Sequence, residues 1–341
     1  MTYLKADRDP WFDNARIILV ALVVFGHVLE NYRFDSGLLF FFNNFLSLVR
    51  MPALIFLCGY FAKRWEREGY IFEVFKKLLF PYFVFQIIFH EYYSWLYGWD
   101  RDLRLLMPEY TLWFLLSLVS WNVLLVVFRG SKLLFPASLF LMLFSGSVSI
   151  IDNFASLQRT FVFLPFFLLG YFCPKDLVFR VRKRSIALPI VCFLFSGWCF
   201  YLTFDQPWFG RDMVLGYKPY LVMGLDISEG IFYRGVVFSL SILSILAFFM
   251  IIPEKVYFFT YLGRRTAYIY IFHGVLIKTL FYFGAKEFAT GYGSVGLVFC
   301  IVVMLVIILG GDIFVRIMSP VVEGRLIQRD FWLRLRGKIP G

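Results

Sequence analysis

Charge is what this 341-residue chain has least of. Asp, Glu, Lys and Arg make up 17%, while hydrophobic residues reach 60% and mean hydropathy is +0.74. Soluble globular chains run at about 25% and about 45–50%. A water-soluble fold of this length cannot hide so much apolar surface, so lipid serves as its solvent. Cysteine is sparse too. Cys58, Cys173, Cys192, Cys199 and Cys300 lie in or beside apolar stretches and form no CxxC, which favours small buried hydrophobes over a disulfide or metal role. There are three histidines, no two at a helical ligand spacing, and no HExxH; no metal is expected. Internal repeats, coiled-coil heptads and low-complexity tracts are missing, and no soluble domain stands out. No cleavable signal peptide is expected, because the first apolar run is too long, lacks a small-residue cleavage site, and carries Arg16 and His27. Disorder, collagen and disulfide-rich scaffolds are excluded.

What is present is aromatic and apolar. The 45 Phe, 20 Tyr and 9 Trp suit a polytopic bundle with aromatic belts. Runs of about 17–25 apolar residues give ten candidate spans, at roughly 12–32, 38–61, 74–97, 109–128, 133–151, 159–173, 185–204, 231–252, 266–284 and 293–318. The sixth is short, the second carries Arg50 and is interrupted near Pro52, and the third is interrupted near Pro81. The expected fold is an all-α integral membrane protein of about ten transmembrane helices, multi-pass in the plasma membrane.

The net charge of +11 on a soluble chain would suggest nucleic acid; here it reads as cytoplasmic loop charge. With ten spans and both termini cytoplasmic, about 24 of the 34 Lys and Arg fall inside and about 9 outside, with Arg50 left in the membrane. Nine or eleven spans would blur that asymmetry. Residues 1–320 then form the membrane domain and 321–341 a basic cytoplasmic tail, whose Arg325, Arg329, Arg334, Arg336 and Lys338 alternate with Phe331, Trp332 and Leu335 as on an anionic leaflet. One outward loop, roughly Asp205 to Gly230, is long, and its Trp208, Tyr220 and charged residues argue for order.

Ionisable residues inside a membrane are costly and mark function. Arg16 and His27 are eleven residues apart in the first span. That is three turns plus about 20°, so both lie on one face, roughly 16 Å apart along the axis. A snorkelling arginine with a hydrogen-bonded core histidine is the plainer reading of the pair. After the second span come Arg64 and Arg67, then Lys76 and Lys77. This inner cationic cluster either orients the protein or holds a phosphorylated ligand, since arginine forks match phosphate oxygens.

Taken in order, these segments resemble the membrane acyltransferase-3 family, and within it the fucose 4-O-acetylase-like group. The residues that carry the resemblance are Arg16-x10-His27, Met51-Pro52 through Gly59-Tyr60, Arg64-x-x-Arg67 and Pro81-Tyr82. Leu112-Trp113-Phe114-Leu115 and Phe163-Leu164-Pro165-Phe166-Phe167 with Gly170-Tyr171 continue it, as do Leu262-Gly263-Arg264-Arg265-Thr266 and Tyr270-Ile271-Phe272-His273-Gly274. The resemblance implies an enzyme that takes an acyl group, commonly acetyl, from cytoplasmic acyl-CoA and delivers it to a glycan hydroxyl on the outer side, a cell-envelope modification. It makes Arg16 and His27 the essential pair and puts Arg64 and Arg67 on the donor side. Relatives would carry His where this chain has Arg50, and some have a fused extracytoplasmic domain for which this chain has no counterpart.

The residue chemistry fits. A sugar hydroxyl needs a general base near neutral pH, a role suited to His27, and Glu30 or Asn31 would orient its ring. The thioester oxygen needs positive or hydrogen-bonding stabilisation, and the CoA phosphates need cations, for which Arg16, Arg64, Arg67, Lys76, Lys77, Arg264 and Arg265 are candidates. An acyl-enzyme on His27 is a variant of the same mechanism. His90 with Glu91, near the outer half of the third span, is either an acceptor contact or a satisfied membrane histidine. His273 is either functional, directly or in support, or a buried hydrogen-bonded ring. Trp113 is an interface anchor or a sugar-stacking platform. Arg50 is grouped with the acceptor side. The partners expected are therefore acetyl-CoA, a glycan or lipid-linked sugar and membrane lipid, with no nucleic acid. The competing class is an exporter of polysaccharide or lipid-linked sugar, though the repeats and paired broken helices common in transporters are missing. A purely structural role leaves Arg16, Arg50 and His27 unexplained.

Overall fold

A computed structural model describes residues 9–32, 35–148, 154–182, 186–204, 207–288 and 293–327. Most of the basic tail expected after residue 320 lies outside the described residues, as do Lys5 and Arg8. The described chain is all helical: α1 (Pro10–Leu29), α2 (Gly37–Phe61), α3 (Tyr70–Val74), α4 (Phe80–Tyr97), α5 (Trp113–Val127), α6 (Leu134–Phe144), α7 (Leu157–Phe172), α8 (Lys175–Arg182), α9 (Ala187–Thr203), α10 (Pro207–Leu215), α11 (Ile227–Ile251), α12 (Thr266–Tyr282), α13 (Gly293–Gly310) and α14 (Asp312–Val322).

Each of the ten apolar runs carries helix, but the runs differ in reach. Four helices are long and apolar enough to cross a membrane: α1, α2, α7 and α11, with their flanking turns; two bent pairs, α8–α9 and α13–α14, raise the number to six if each counts as one span. The α5 and α6 helices have 15 and 11 residues. At 1.5 Å per residue these cover about 22 and 16 Å, against a hydrocarbon core of about 30 Å. The tenth run does not form one straight rod. It bends by 63° between α13 and α14, where Gly311 adopts an extended conformation as the cap of α14. Pro52 does not interrupt α2, which passes through it as one helix. Pro81 does mark a break: it has no N–H for the Lys77 carbonyl, and the turn before it, Phe75–Leu79, relaxes to π-helix. The long loop expected on the outer side contains α10 among its described residues, and α11 starts earlier than expected, on an Asp226/Glu229 capping box.

Local sequence explains the ends. Asp9 caps α1 by accepting from the Trp11 N–H, and Pro10 takes the first helical position, where no N–H is needed. Within the bundle α1 packs against α2, α12 and α13, while α2 makes its broadest contact with α7. That crossing is set by two glycines. A Cβ on Gly59 would lie 1.8 Å from the Phe167 carbonyl oxygen, and one on Gly170 would lie 1.9 Å from that of Phe56. Without hydrophobic drive between helices in lipid, such small-residue contact is what lets backbones meet. Polar side chains add specific links: Ser117 and Thr160 hydroxyls are 2.8 Å apart between α5 and α7, and the Trp121 indole donates to the Thr160 carbonyl.

Gly170→Val therefore has no place for its side chain without separating α2 from α7. The expected outcome is a loss of about 3 kcal/mol or more of stability in detergent, read as a lowered thermal midpoint. Gly296→Ala, whose new methyl meets open space, is the control and should melt like the parent.

Candidate functional site

The site is built around the C-terminal end of α1. His27 Nδ1 lies 2.9 Å from the Tyr110 hydroxyl, and its ring faces that of His273 with centroids 5.2 Å apart. His273 is fully buried on α12. Its Nδ1 sits 2.7 Å from the Tyr270 carbonyl, to which it can only donate, so Nε2 is left as a lone pair, and that atom has no hydrogen-bond partner among the described residues. Two histidines from opposite ends of the chain thus share one interior space.

Tyr110 reaches His27 from the 15-residue connection between α4 and α5, residues 98–112. The connection is clamped onto α4. Gln86 donates to the Arg104 and Met107 carbonyls at 3.1 and 2.8 Å and accepts from the Glu109 N–H at 2.8 Å. Tyr82 donates to the Leu105 carbonyl at 2.6 Å. Tyr110 itself is held at φ 41°, a conformation non-glycine residues rarely adopt. Its ring fits because position 274 is glycine: a Cβ there would come within 2.6 Å of Tyr110 Cδ1.

Arg50 enters from α2 by the same device. A Cβ on Gly26 would lie 1.3 Å from Arg50 Nη1, so the guanidinium rests on bare α1 backbone one residue from His27. Arg50 donates to Asn43 Oδ1 at 2.8 Å, Asn43 donates to Glu30 at 3.3 Å, and Glu30 pairs with Arg211 of α10 at 2.8 Å. Arg211 continues to Asp212 and the Tyr217 hydroxyl, both at 3.2 Å. Asp212 accepts from Lys218 at 2.7 Å, and this bond holds the Lys218 ammonium above its ordinary pKa. Arg159 of α7 stacks between Trp113 and Tyr217, 4.9 and 5.0 Å from their rings. One connected polar network therefore runs from Arg50 out to Lys218.

At the other end of α1, Arg16 lies 3.8 Å from Asp13 and 4.1 Å above the Phe61 ring. It lines a cavity of about 670 Å³ whose rim also carries Glu73 and Lys77 and whose walls include Leu54, Leu57, Phe114 and Leu115. Glu73 bonds Lys76 and Lys77 at 2.5 and 2.7 Å, and these bonds, Lys76 first, lower its pKa. The cavity lining stops at Tyr270, whose ring is 5.6 Å from that of His273; neither histidine lines it.

The remaining sequence candidates fall in several places. Arg64 and Arg67 are exposed and do not line the cavity. Arg264 lies 3.6 Å from Asp13, while Arg265 is engaged by Asp312 and the Gly310 carbonyl. The hydrogen-bond partner of His27 Nδ1 is Tyr110, while Glu30 and Asn31 are engaged elsewhere. Asn31 turns back to the His27 and Val28 carbonyls at 3.1 and 3.2 Å, closing the helix end, and Glu30 serves Asn43 and Arg211. His90 is engaged by Glu109 and the Arg101 carbonyl at 3.2 and 3.0 Å, on a separate polar cavity of about 500 Å³; Glu91 is exposed. Trp113 packs on Phe163 beneath Arg159, which places it beside the network. Sequence reasoning did not assign Tyr110, Asn43, Arg159 or Arg211. The available signals were the Pro108-Glu109-Tyr110 lead-in to the Leu112-Trp113-Phe114-Leu115 motif, and cations counted only as outer-loop charge.

Gln86→Leu would leave three backbone groups unpaired, each costing about 1–3 kcal/mol if buried. The clamp should open, and limited trypsin digestion of the purified protein should cut at Arg101 or Arg104 at least about tenfold faster than in the parent. An unchanged digestion rate would remove Gln86 as the clamp.

No curated protein and no solved structure gives a significant match to the chain. A family model described as an acyltransferase domain does match it, over residues 9–311. A chain whose described residues are all helical, with spans long enough for a bilayer, two facing histidines of which His273 is fully buried, and cations at both ends of one helix belongs, on that match, to the acyltransferase-3 family of membrane acyltransferases.

Proposed function

We propose that this enzyme moves an acyl group, acetyl first among the options, from cytoplasmic acyl-CoA to a hydroxyl of an extracytoplasmic or lipid-linked glycan, with His27 as the general base. In this reading the chain crosses the plasma membrane about ten times with both termini inside. The observation that carries the proposal is the shared face of α1: Arg16 opens onto the cavity at one end, and His27 meets Tyr110 and His273 at the other.

The donor site has the right chemistry for acyl-CoA. Cations at the rim, Arg16 and Lys77 with the exposed Arg64 and Arg67 outside the lining, suit phosphates, and the apolar walls suit the pantetheine arm. Arg264 stands close by through Asp13. Lys76 and Arg265 are engaged by acids on adjoining helices and serve the shape of that end. The thioester approaches His27 past Tyr270 and Phe114.

The base role fixes a tautomer. Nδ1–H of His27 donates to the Tyr110 oxygen, leaving the Nε2 lone pair for the acceptor. Nε2 takes the hydroxyl proton as the new C–O bond forms at the thioester carbonyl. The C–S bond then breaks, and the proton passes to the departing thiolate. Arg50, one residue away across Gly26, supplies positive charge for the oxyanion.

Purified protein incubated with labelled acetyl-CoA should release free CoA and pass label to a glycan acceptor. His27→Ala should lower this by about 10²–10⁴-fold while the protein stays folded. Transfer at the parent rate by that variant would take His27 out of the chemistry, and no acetyl-CoA turnover by the parent would favour an exporter. A second check uses Cys58, which lines the cavity beside Arg16. With the other four cysteines replaced, a maleimide applied from the cytoplasmic side should label Cys58, and acetyl-CoA should slow the labelling several-fold. Labelling from the outer side alone would reverse the assigned orientation.

A further inference from the structure

The network beyond His27 holds more positive charge than it compensates. Its cations are Arg50, Arg159, Arg211 and Lys218; its carboxylates, among the described residues, are Glu30 and Asp212. Glu30 is shared, through Asn43, between Arg50 and Arg211. Asp212 is shared between Arg211 and Lys218. Arg159 has no carboxylate within ion-pair distance among the described residues; its neighbours are the rings of Trp113 and Tyr217. Among the described residues, four cations face two carboxylates, an excess of two positive charges.

Such an excess is expensive where the dielectric is low. Arg50 is buried, and Arg159 and Arg211 are part-buried beside it. A charge taken from water without a partner costs several kcal/mol, and intramembrane arginines are retained where they serve a ligand or a path. The excess is also placed with direction. The four cations are strung along one connected chain of contacts that ends beside His27 at Arg50, and Arg159 presents a guanidinium between two aromatic faces. Guanidinium groups and aromatic rings together are what hold a sugar ring with an acidic substituent: the rings stack on the apolar face and the guanidinium forks onto the acid oxygens.

We infer that the acceptor taken at this site is anionic, a glycan bearing a carboxylate or phosphate near the hydroxyl that is acylated, with Arg159 as the residue that reads the charge. The inference rests on the proposed acyl transfer and adds its substrate class. A uronic acid in the glycan and the phosphate of a lipid-linked sugar present the same chemistry, and they differ in where the charge sits relative to the hydroxyl.

The test uses the full chain in lipid vesicles, labelled acetyl-CoA and three acceptors: a neutral oligosaccharide, the same oligosaccharide carrying one uronic acid, and a polyprenyl-phosphate-linked sugar. The parent should use at least one acidic acceptor about tenfold better than the neutral one in kcat/KM, with the preference shrinking as salt is raised. The acceptor that is favoured names the source of the charge. Arg159→Gln should erase most of that preference, and Arg159→Lys should restore part of it; protection of Cys58 by acetyl-CoA shows that each variant is folded. Equal use of neutral and acidic acceptors by the parent overturns the inference and leaves the acyl transfer standing. So does an equal loss on all three acceptors in Arg159→Gln, which would assign the charge to the transition state. No acetyl-CoA turnover with any acceptor overturns both.

Discussion

A guanidinium inside a bilayer has to be solvated by the protein itself, and the placement of Arg50 organises much of what surrounds it. Its charge lies against the backbone of α1 because residue 26 is glycine, and it is linked through Asn43 to Glu30, a carboxylate it shares with Arg211. Glu30 is three residues beyond His27 and is also the anchor for Arg211. The position of α10, a helix within what the sequence shows only as a long loop, thus depends on a carboxylate whose other duty is to Arg50. Remove the cation and Glu30 loses one of its two reasons to point inward; remove the glycine and the cation cannot reach the histidine.

The same constraint explains why α2 and α7 meet so closely. Arg50 and Asn43 approach α1 from α2, and Arg159 approaches the network from α7. The reciprocal contacts of Gly59 and Gly170 with opposing carbonyls fix the two helices to each other at the end far from this network. Both helices have residues to spare above that crossing, and they use them to present polar groups on one side. Backbone contact at one end leaves the other ends of the two helices to carry Arg50 and Arg159 into the same polar network.

Periodicity and composition made the helices legible: all ten apolar runs carry helix, and the Arg16–His27 spacing was readable as a shared face because 3.6 residues per turn is a local property. What failed to show was everything decided by the approach of distant segments. Tyr110 lies in a connection with no periodicity, and its role follows from Gln86, Tyr82 and Gly274, each remote in sequence. Arg159 and Arg211 look like loop charge in a linear count, because nothing local says that one stacks on Trp113 and the other pairs with Glu30. Glycines beside histidines were visible in both motifs. Their purpose was not, since it is set by the side chains that fill the space they leave. The bend at Gly310-Gly311 was hidden for the opposite reason: hydropathy runs through it without change, while backbone freedom does not.

In the transfer proposed above, the separation between the cavity and His27 is part of the chemistry. A path open from end to end would leak ions and water, and thioesters hydrolyse when water arrives with them. Tyr270 closes the cavity, its hydroxyl bonded to the Thr111 carbonyl at 3.3 Å and its own carbonyl accepting from His273 at 2.7 Å. Thr111 follows Tyr110 in the chain, and Tyr110 is the partner of His27. The barrier is therefore tied through one residue to the hydroxyl that orients His27 and through another to the ring that faces it. In that proposed transfer, a displacement of Tyr270 that admits an acyl group would pull on both, which would couple access from the cavity to the alignment of the histidine pair.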